Sequence, residues 1–184
     1  MTASMESPNE VVTKALLRFI EVGGARAALI TLDNGFDHTK PNSFGPAGLA
    51  SLDKALDEAF AAQPAFVALT GKPYIFCVGA DITAMPLVTE RAQAVRMGEL
   101  GHRVFKRLRD SRIPTFAFIN GAAMGGGLEI ALHCHYRTVS GGAAALALPE
   151  VAIGLVPGWG GTQLLPNLIG IALAAQIIIQ NPLT

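Results

Sequence analysis

The sequence predicts an α/β fold with a buried sheet. Three observations carry that expectation. Short apolar runs fit buried strands, longer stretches with apolar residues three and four apart fit amphipathic helices, and the two kinds alternate along the chain. At 184 residues and 51% hydrophobic, the chain can bury a sizeable core as one domain. The expected organisation is a flexible N-terminal lead over 1–15 and a core domain over 16–184.

Taken in order, the runs at 16–22 and 27–32 flank Gly23-Gly24 and read as a β-hairpin. A polar loop rich in Asn, Asp, Gly and Pro follows over 33–46. Leu49, Leu52, Leu56 and Phe60 then line one face of a helix. The runs at 65–69 and 74–78 read as buried strands separated by Thr70-Gly71-Lys72-Pro73. A second amphipathic helix over 91–110 is expected to turn Val95, Leu100, Val104 and Leu108 inward. Its Arg91, Arg96, Arg103, Lys106, Arg107 and Arg109 form a solvated face. A strand at 114–119 leads into a glycine turn and a helix running through Ile130-Ala131-Leu132. Strands at 136–139 and 143–148 and helices at 160–168 and 171–179 complete the series. No internal sequence repeat is evident.

Composition narrows the partners. Fourteen basic residues balance 14 acidic ones, so nothing electrostatic points to nucleic acid. No apolar stretch reaches the roughly 20 residues that span a bilayer, and membrane insertion is not expected. Met1 to Asn9 lacks the apolar segment of a signal peptide. Cys77 and Cys134 lie in apolar runs and read as inert core thiols, which with the missing signal suggests a cytoplasmic protein. So apolar a chain with so few charges is expected to hide surface in a homo-oligomer.

Three stretches carry the chemistry. The first is Gly125-Gly126-Gly127-Leu128-Glu129, an entropically expensive glycine triplet between a strand and a helix. It would either present bare N–H groups to a ligand oxygen or let the helix pack closely on the sheet. The second, Phe76-Cys77-Val78-Gly79-Ala80-Asp81-Ile82, runs from a strand into small residues that admit close approach to a peptide N–H. Asp81 also fits a helix cap. In the third, Pro149-Glu150 precedes Gly158-Trp159-Gly160-Gly161, another glycine-dense turn before a helix, with Trp159 as pocket wall or packing residue.

The segments FCVGADI, NGAAMGGGLEIAL and LPEVAIGLVPGWGGTQLL together resemble the crotonase superfamily, specifically the enoyl-CoA hydratases, over residues 16–175. The resemblance implies a spiral of ββα units that binds an acyl-CoA thioester. Coenzyme A would enter as part of the substrate, with no tightly bound cofactor and no metal. The backbone N–H groups of Ala80 and Gly126 would form the oxyanion hole. Glu129 and Glu150 fall on the hydratases' two catalytic glutamates. Gly79, Asp81, Ile82, Gly125, Gly158 and Trp159 are the accompanying substrate-binding candidates. The family also implies a trimer or dimer of trimers, and its C-terminal helical trimerisation region is expected to be missing here, leaving the core domain incomplete at its C-terminus. A fused multifunctional fatty-acid oxidation protein would begin in the same way.

These residue types suit the reaction. Adding water to a 2-enoyl thioester builds enolate charge on the thioester oxygen, and one preorganised N–H donor there is worth about 3 kcal/mol. Two carboxyl groups flanking one water can remove one proton and deliver another. Glu129 is expected to activate the water and Glu150 to deliver the proton at Cα, as a pair that titrates jointly. Alternatives are another crotonase reaction, such as enoyl-CoA isomerisation, or a non-catalytic CoA-binding subunit. His133-Cys134-His135 is not expected to bind metal, because i and i+2 face apart on a helix. Two departures from the family stand out: a longer loop over 33–44, whose Lys40 could meet a CoA phosphate, and His135 where Asp is common, expected to have a structural consequence only.

Overall fold

In the computed structural model, which describes residues 10–143 and 145–180, β1 (Lys14–Val22) and β2 (Ala25–Asp33) form the expected antiparallel hairpin. Gly23 and Gly24, both at positive φ, make its turn. Of the lead expected over 1–15, residues 1–9 lie outside the described residues, whereas 10–15 are tied into the fold. Buried Thr13 exchanges hydrogen bonds with Ser43. The Glu10 carboxylate accepts the N–H groups of Ala47 and Gly48 at the start of α1 (Pro46–Ala61), a helix with no side-chain cap of its own. Leu49, Leu52 and Leu56 are buried along α1 and Phe60 partly so, as the spacing required.

Three ββα turns follow. The first comprises β3 (Phe66–Gly71), β4 (Tyr74–Cys77) and α2 (Arg91–Asp110). The second comprises β5 (Thr115–Ile119), β6 (Gly121–Met124) and α3 (Gly126–His133). The third comprises β7 (Tyr136–Val139), β8 (Leu146–Ala147) and α4 (Gly161–Ile169), after which α5 spans Ile171–Gln180. The first strand of each turn joins a five-stranded sheet in the order β1-β2-β3-β5-β7, and the second joins a three-stranded sheet, β4-β6-β8. Every pairing after the hairpin is parallel, as crossover helices demand. In the small sheet Cys77 lies level with Ala123, and Met124 with Ala147.

The sequence reading had no β6. Gly121-Ala122-Ala123-Met124 contains none of the β-branched or aromatic residues that mark strands. The residues are small because the strand abuts its neighbour: a Cβ on Gly121 would fall 2.0 Å from the Tyr74 carbonyl. Short 3₁₀ helices at Ile82–Leu87 and Pro149–Ile153 were also unforeseen, and β8 is shorter than the run at 143–148.

The main core joins Ile30, Leu69 and Ala117 of the large sheet to Leu52 and Leu56 of α1 and to Val104, Phe105 and Leu108 of α2. Val95, expected inward, is 43% exposed. It lies nine residues before Val104, which at 100° per residue puts the two on opposite faces. One member of the solvated basic face also turns back: Arg107 pairs with Asp53 and Asp57, bolting α2 to α1. Cys77 and Cys134 are free and buried, and burial pushes both thiols up to about 12. The large sheet is less enclosed than expected. On its outer face Phe66, Phe116 and Tyr136 form a ladder of rings, and Tyr136 remains 57% exposed. No described helix is long and apolar enough to cross a membrane.

Candidate active site

Each strand of the small sheet runs directly into one of the three chemistry-bearing stretches. After β4 the chain passes through Gly79, at φ +101°. Phe44 pairs alongside: its N–H donates to the Gly79 carbonyl at 2.7 Å, and its carbonyl accepts from the Asp81 N–H at 2.9 Å. A parallel bridge of this kind engages the residues on either side of Ala80. The Ala80 N–H therefore points away and has no acceptor among the described residues. The Asp81 carboxylate accepts the Thr83 N–H at 3.0 Å and the Thr83 hydroxyl at 2.6 Å, so it caps the 3₁₀ helix, and the Ile82 side chain beside it is exposed.

After β6 each glycine of the triplet answers a different neighbour. Gly125 adopts φ +52°, and a Cβ on it would lie 2.9 Å from Oε1 of Glu150. A Cβ on Gly126 would strike the Trp159 indole at 2.4 Å, and one on Gly127 would meet the Cys77 carbonyl at 1.9 Å. Close packing thus accounts for Gly126 and Gly127. It does not engage the Gly126 N–H, which opens α3 with no acceptor among the described residues. The two glycine turns touch, since a Cβ on Gly79 would be 3.2 Å from the Gly126 nitrogen. Two open backbone N–H groups, Ala80 and Gly126, therefore belong to turns in direct backbone contact.

Glu129 sits one turn into α3 and is 1% exposed. Its Oε1 accepts two backbone N–H groups, from Trp159 and Gly161, each at 2.8 Å. Burial pushes its carboxyl up to about 7; the two N–H donors pull it back down, and the nearby Glu150 charge adds to the rise. Glu150 comes from the 3₁₀ helix that follows β8. Burial raises its carboxyl too, and its Oε2 is buried with no hydrogen-bond partner. A buried carboxyl oxygen left without a donor stands ready for one. Trp159 is a packing residue: its indole lies against Gly126, edge-on to Phe105, and donates to the Met97 carbonyl at 3.3 Å. Gly158 is exposed and makes no close approach, for a Cβ there would meet only the Val156 carbonyl, at 3.8 Å.

Three features escaped the sequence reading. Nothing in it marked the Trp159 and Gly161 amides as the holders of Glu129; the only signal was the glycine density after Pro157. His133 is buried, with Nε2 2.8 Å from the Trp159 carbonyl. Lys72, read as part of a turn, is only 4% exposed. Its Nζ donates to Asn34 Oδ1 and to the carbonyls of Phe36, Asp37 and Lys40, gathering the long loop around one ammonium. Lys40 itself rests over the Phe36 ring, 4.3 Å from its centre. His135 Nδ1 faces the Thr115 hydroxyl and N–H, well apart from the partner of His133. Among the described residues no group of three or more His, Cys, Asp or Glu is placed to hold a metal ion.

Two touching glycine turns on a ββα spiral thus bring two open amides beside the buried carboxyl of Glu129 and the half-buried one of Glu150. A family model described as enoyl-CoA hydratase/isomerase matches residues 24–182, and the chain belongs to that family. Among curated relatives, the fatty acid oxidation complex subunit alpha of Shewanella frigidimarina is 40% identical over 157 residues, which cover 83% of this chain and 22% of that protein. The chain thus spans about a fifth of the length of the curated relatives it matches. Among solved structures, Pseudomonas aeruginosa DspI aligns with a TM-score of 0.79 at 34% identity, covering 97% of this chain and 70% of that one. The enoyl-CoA hydratase of Thermoplasma volcanium aligns with a TM-score of 0.81 at 29% identity, covering 93% and 66%. These likenesses agree with the crotonase fold expected from the sequence.

Proposed function

We propose that the protein is an enoyl-CoA hydratase of fatty-acid degradation, adding water across the 2,3 double bond of an enoyl-CoA thioester. The observation that carries the reading is the pair of carboxyl groups. Glu129 is held by two N–H donors and Glu150 keeps a buried oxygen without a donor, while burial raises both carboxyls, Glu129's to about 7, so the pair can exchange protons with a water between them. Both lie beside the Ala80 and Gly126 turns. Relatives named for hydration and fatty-acid oxidation support the same conclusion.

In this mechanism the thioester oxygen accepts hydrogen bonds from the Ala80 and Gly126 N–H groups. A water sits between the two acids. Glu129 removes its proton as the oxygen attacks Cβ, and electron density moves onto the thioester oxygen as an enolate. Glu150 delivers a proton to Cα, the enolate returns to a carbonyl, and the proton on Glu129 passes back to Glu150 to restore the pair. Glu129 and Glu150 are thus the catalytic residues. Coenzyme A is carried by the substrate, and the reaction draws on no resident cofactor. We also take the working form to be a cytoplasmic homo-oligomer; apolar side chains such as Ile171 and Ile179, exposed on α5, support burial of that face in an assembly.

The test is turnover of crotonyl-CoA by Glu129→Gln and Glu150→Gln, each expected to lose about 10²–10⁴-fold in kcat. Near wild-type hydration by either variant would overturn the shared-water mechanism. Turnover of 3-enoyl thioesters with no hydration of 2-enoyl ones would favour isomerisation instead.

A further inference from the structure

His133 follows Glu129 by four residues on α3, so both side chains leave the same face of the helix. Both end on one peptide segment. The Trp159 N–H and the Gly161 N–H donate to Glu129 Oε1, and the Trp159 carbonyl receives His133 Nε2 at 2.8 Å. Between these contacts lies Gly160 at φ +118°, where a Cβ would fall 2.8 Å from His133 Nε2. The imidazole therefore packs directly beneath the turn, at a position only glycine can occupy. With its carbonyl fixed by one side chain and its amide by another, residue 159 cannot rotate without breaking both bonds.

We infer that His133 is a positioning residue for Glu129: by fixing the Trp159 carbonyl it aims the two N–H groups that hold the Glu129 carboxylate. This inference rests on Glu129 being the water-activating carboxylate. A carbonyl accepts only from a protonated nitrogen, so Nε2 carries the hydrogen and Nδ1 is left as a bare lone pair. Nδ1 is buried and has no partner. The charges acting on the ring are those of Arg109, His102 and Asp110 of α2, Glu129 lies one turn earlier on its own helix, and the ring of Phe105 packs edge-on to it. Burial holds the imidazole below its ordinary titration range, so it serves as a neutral donor. If the donor is lost, the turn loosens and the two N–H groups no longer offset the burial of Glu129. Its carboxyl must then titrate at still higher pH.

The experiment compares His133→Phe, which keeps a ring but no donor, with His133→Gln, whose amide can still donate to the Trp159 carbonyl. The Glu129 carboxyl is titrated directly by carbon NMR on full-length protein labelled at glutamate, its resonance assigned by its disappearance in Glu129→Gln. We expect His133→Phe to raise the Glu129 midpoint by about 0.5–1 pH unit. It should lower kcat for crotonyl-CoA about tenfold and leave KM within about twofold. His133→Gln should recover most of both. Where Phe disrupts folding, His133→Met removes the donor at similar bulk. An unchanged midpoint in the donor-less variant, or equal midpoints in the Phe and Gln variants, would overturn the inference, even with a lowered melting temperature. Because the titration needs no turnover, an active Glu129→Gln would count against the hydratase reading alone.

Discussion

Gly101 is the notch that seats Trp159: a Cβ on this residue would fall 2.3 Å from Nε1 and Cε2 of the indole. Through that seat α2 reaches the site, because the other edge of the same indole lies on Gly126. Gly98, one turn earlier on α2, has nothing within 4 Å of its would-be Cβ. Gly98→Ala should stabilise the protein by about 0.5–1 kcal/mol through helix propensity alone. Gly101→Ala should destabilise it by about 1–3 kcal/mol, because the indole must move. Urea unfolding of both variants checks the pair, and the same sign for both would contradict the seat.

Glu129 makes stability depend on pH in a definite direction. Unfolded, its carboxyl titrates near 4.5; folded, near 7. Between those values the native protein holds a proton that the unfolded chain releases, so this group's contribution falls as pH rises through the window, by about 3 kcal/mol in all. Glutamine keeps an oxygen for the Trp159 and Gly161 N–H groups and never ionises. Glu129→Gln should therefore be the more stable protein at pH 8 and nearly equal to wild type at pH 4.5. Equal stability at both values would show that burying this carboxylate is not costly.

Lys72 should behave as the knot of the loop between β2 and α1. Lys72→Met leaves the acceptors on Asn34, Phe36, Asp37 and Lys40 without their shared donor, at a cost of about 2–4 kcal/mol. Hydrogen exchange gives the sharper reading, with amides of residues 34–42 losing protection before those of the sheets. Uniform protection loss across the chain would mean that Lys72 does not organise this loop locally.

Asp81 is expected to matter for folding and little for chemistry. Its carboxylate is spent on Thr83, so Asp81→Ala should cost about 1 kcal/mol as a lost cap. Crotonyl-CoA turnover should change by less than about threefold. A loss comparable to that of Glu129→Gln would move Asp81 into the catalytic group.

The sequence disclosed the alternation of elements, the hairpin, the face of α1 and the three glycine-rich turns, since each rests on local periodicity or local backbone demand. Val95 is apolar yet faces outward, because its place around α2, opposite Val104, outweighs its hydrophobicity. Strand β6 was hidden because its residues are small to suit a neighbour 47 positions earlier, a tertiary demand that mimics a turn. The same limit applied at the site. Glu129 and Glu150 stand out as acids beside glycines, but the amides that hold Glu129 and the imidazole behind them are partners across 26 to 32 residues of chain. The bland and the functional explanations of the glycine triplet also proved compatible: packing consumes the space over Gly126 and Gly127 and leaves the Gly126 amide open.

The level pairing of Cys77 with Ala123 has a consequence for how such a centre can vary. Two residues beyond Cys77 and Ala123 stand Gly79 and Gly125, each followed by a residue with an open amide; Leu146 completes that rung, and Glu150 stands four residues beyond it. Three neighbouring strands of one ladder thus lead into a donor, a donor and, one residue later, an acid. The ladder works as a ruler, and altering a rung changes the chemistry while the frame stays fixed. Sliding β6 by a single step would bring Gly126 level with Gly79 and carry its amide off the mark, whatever residues were chosen to line the cleft.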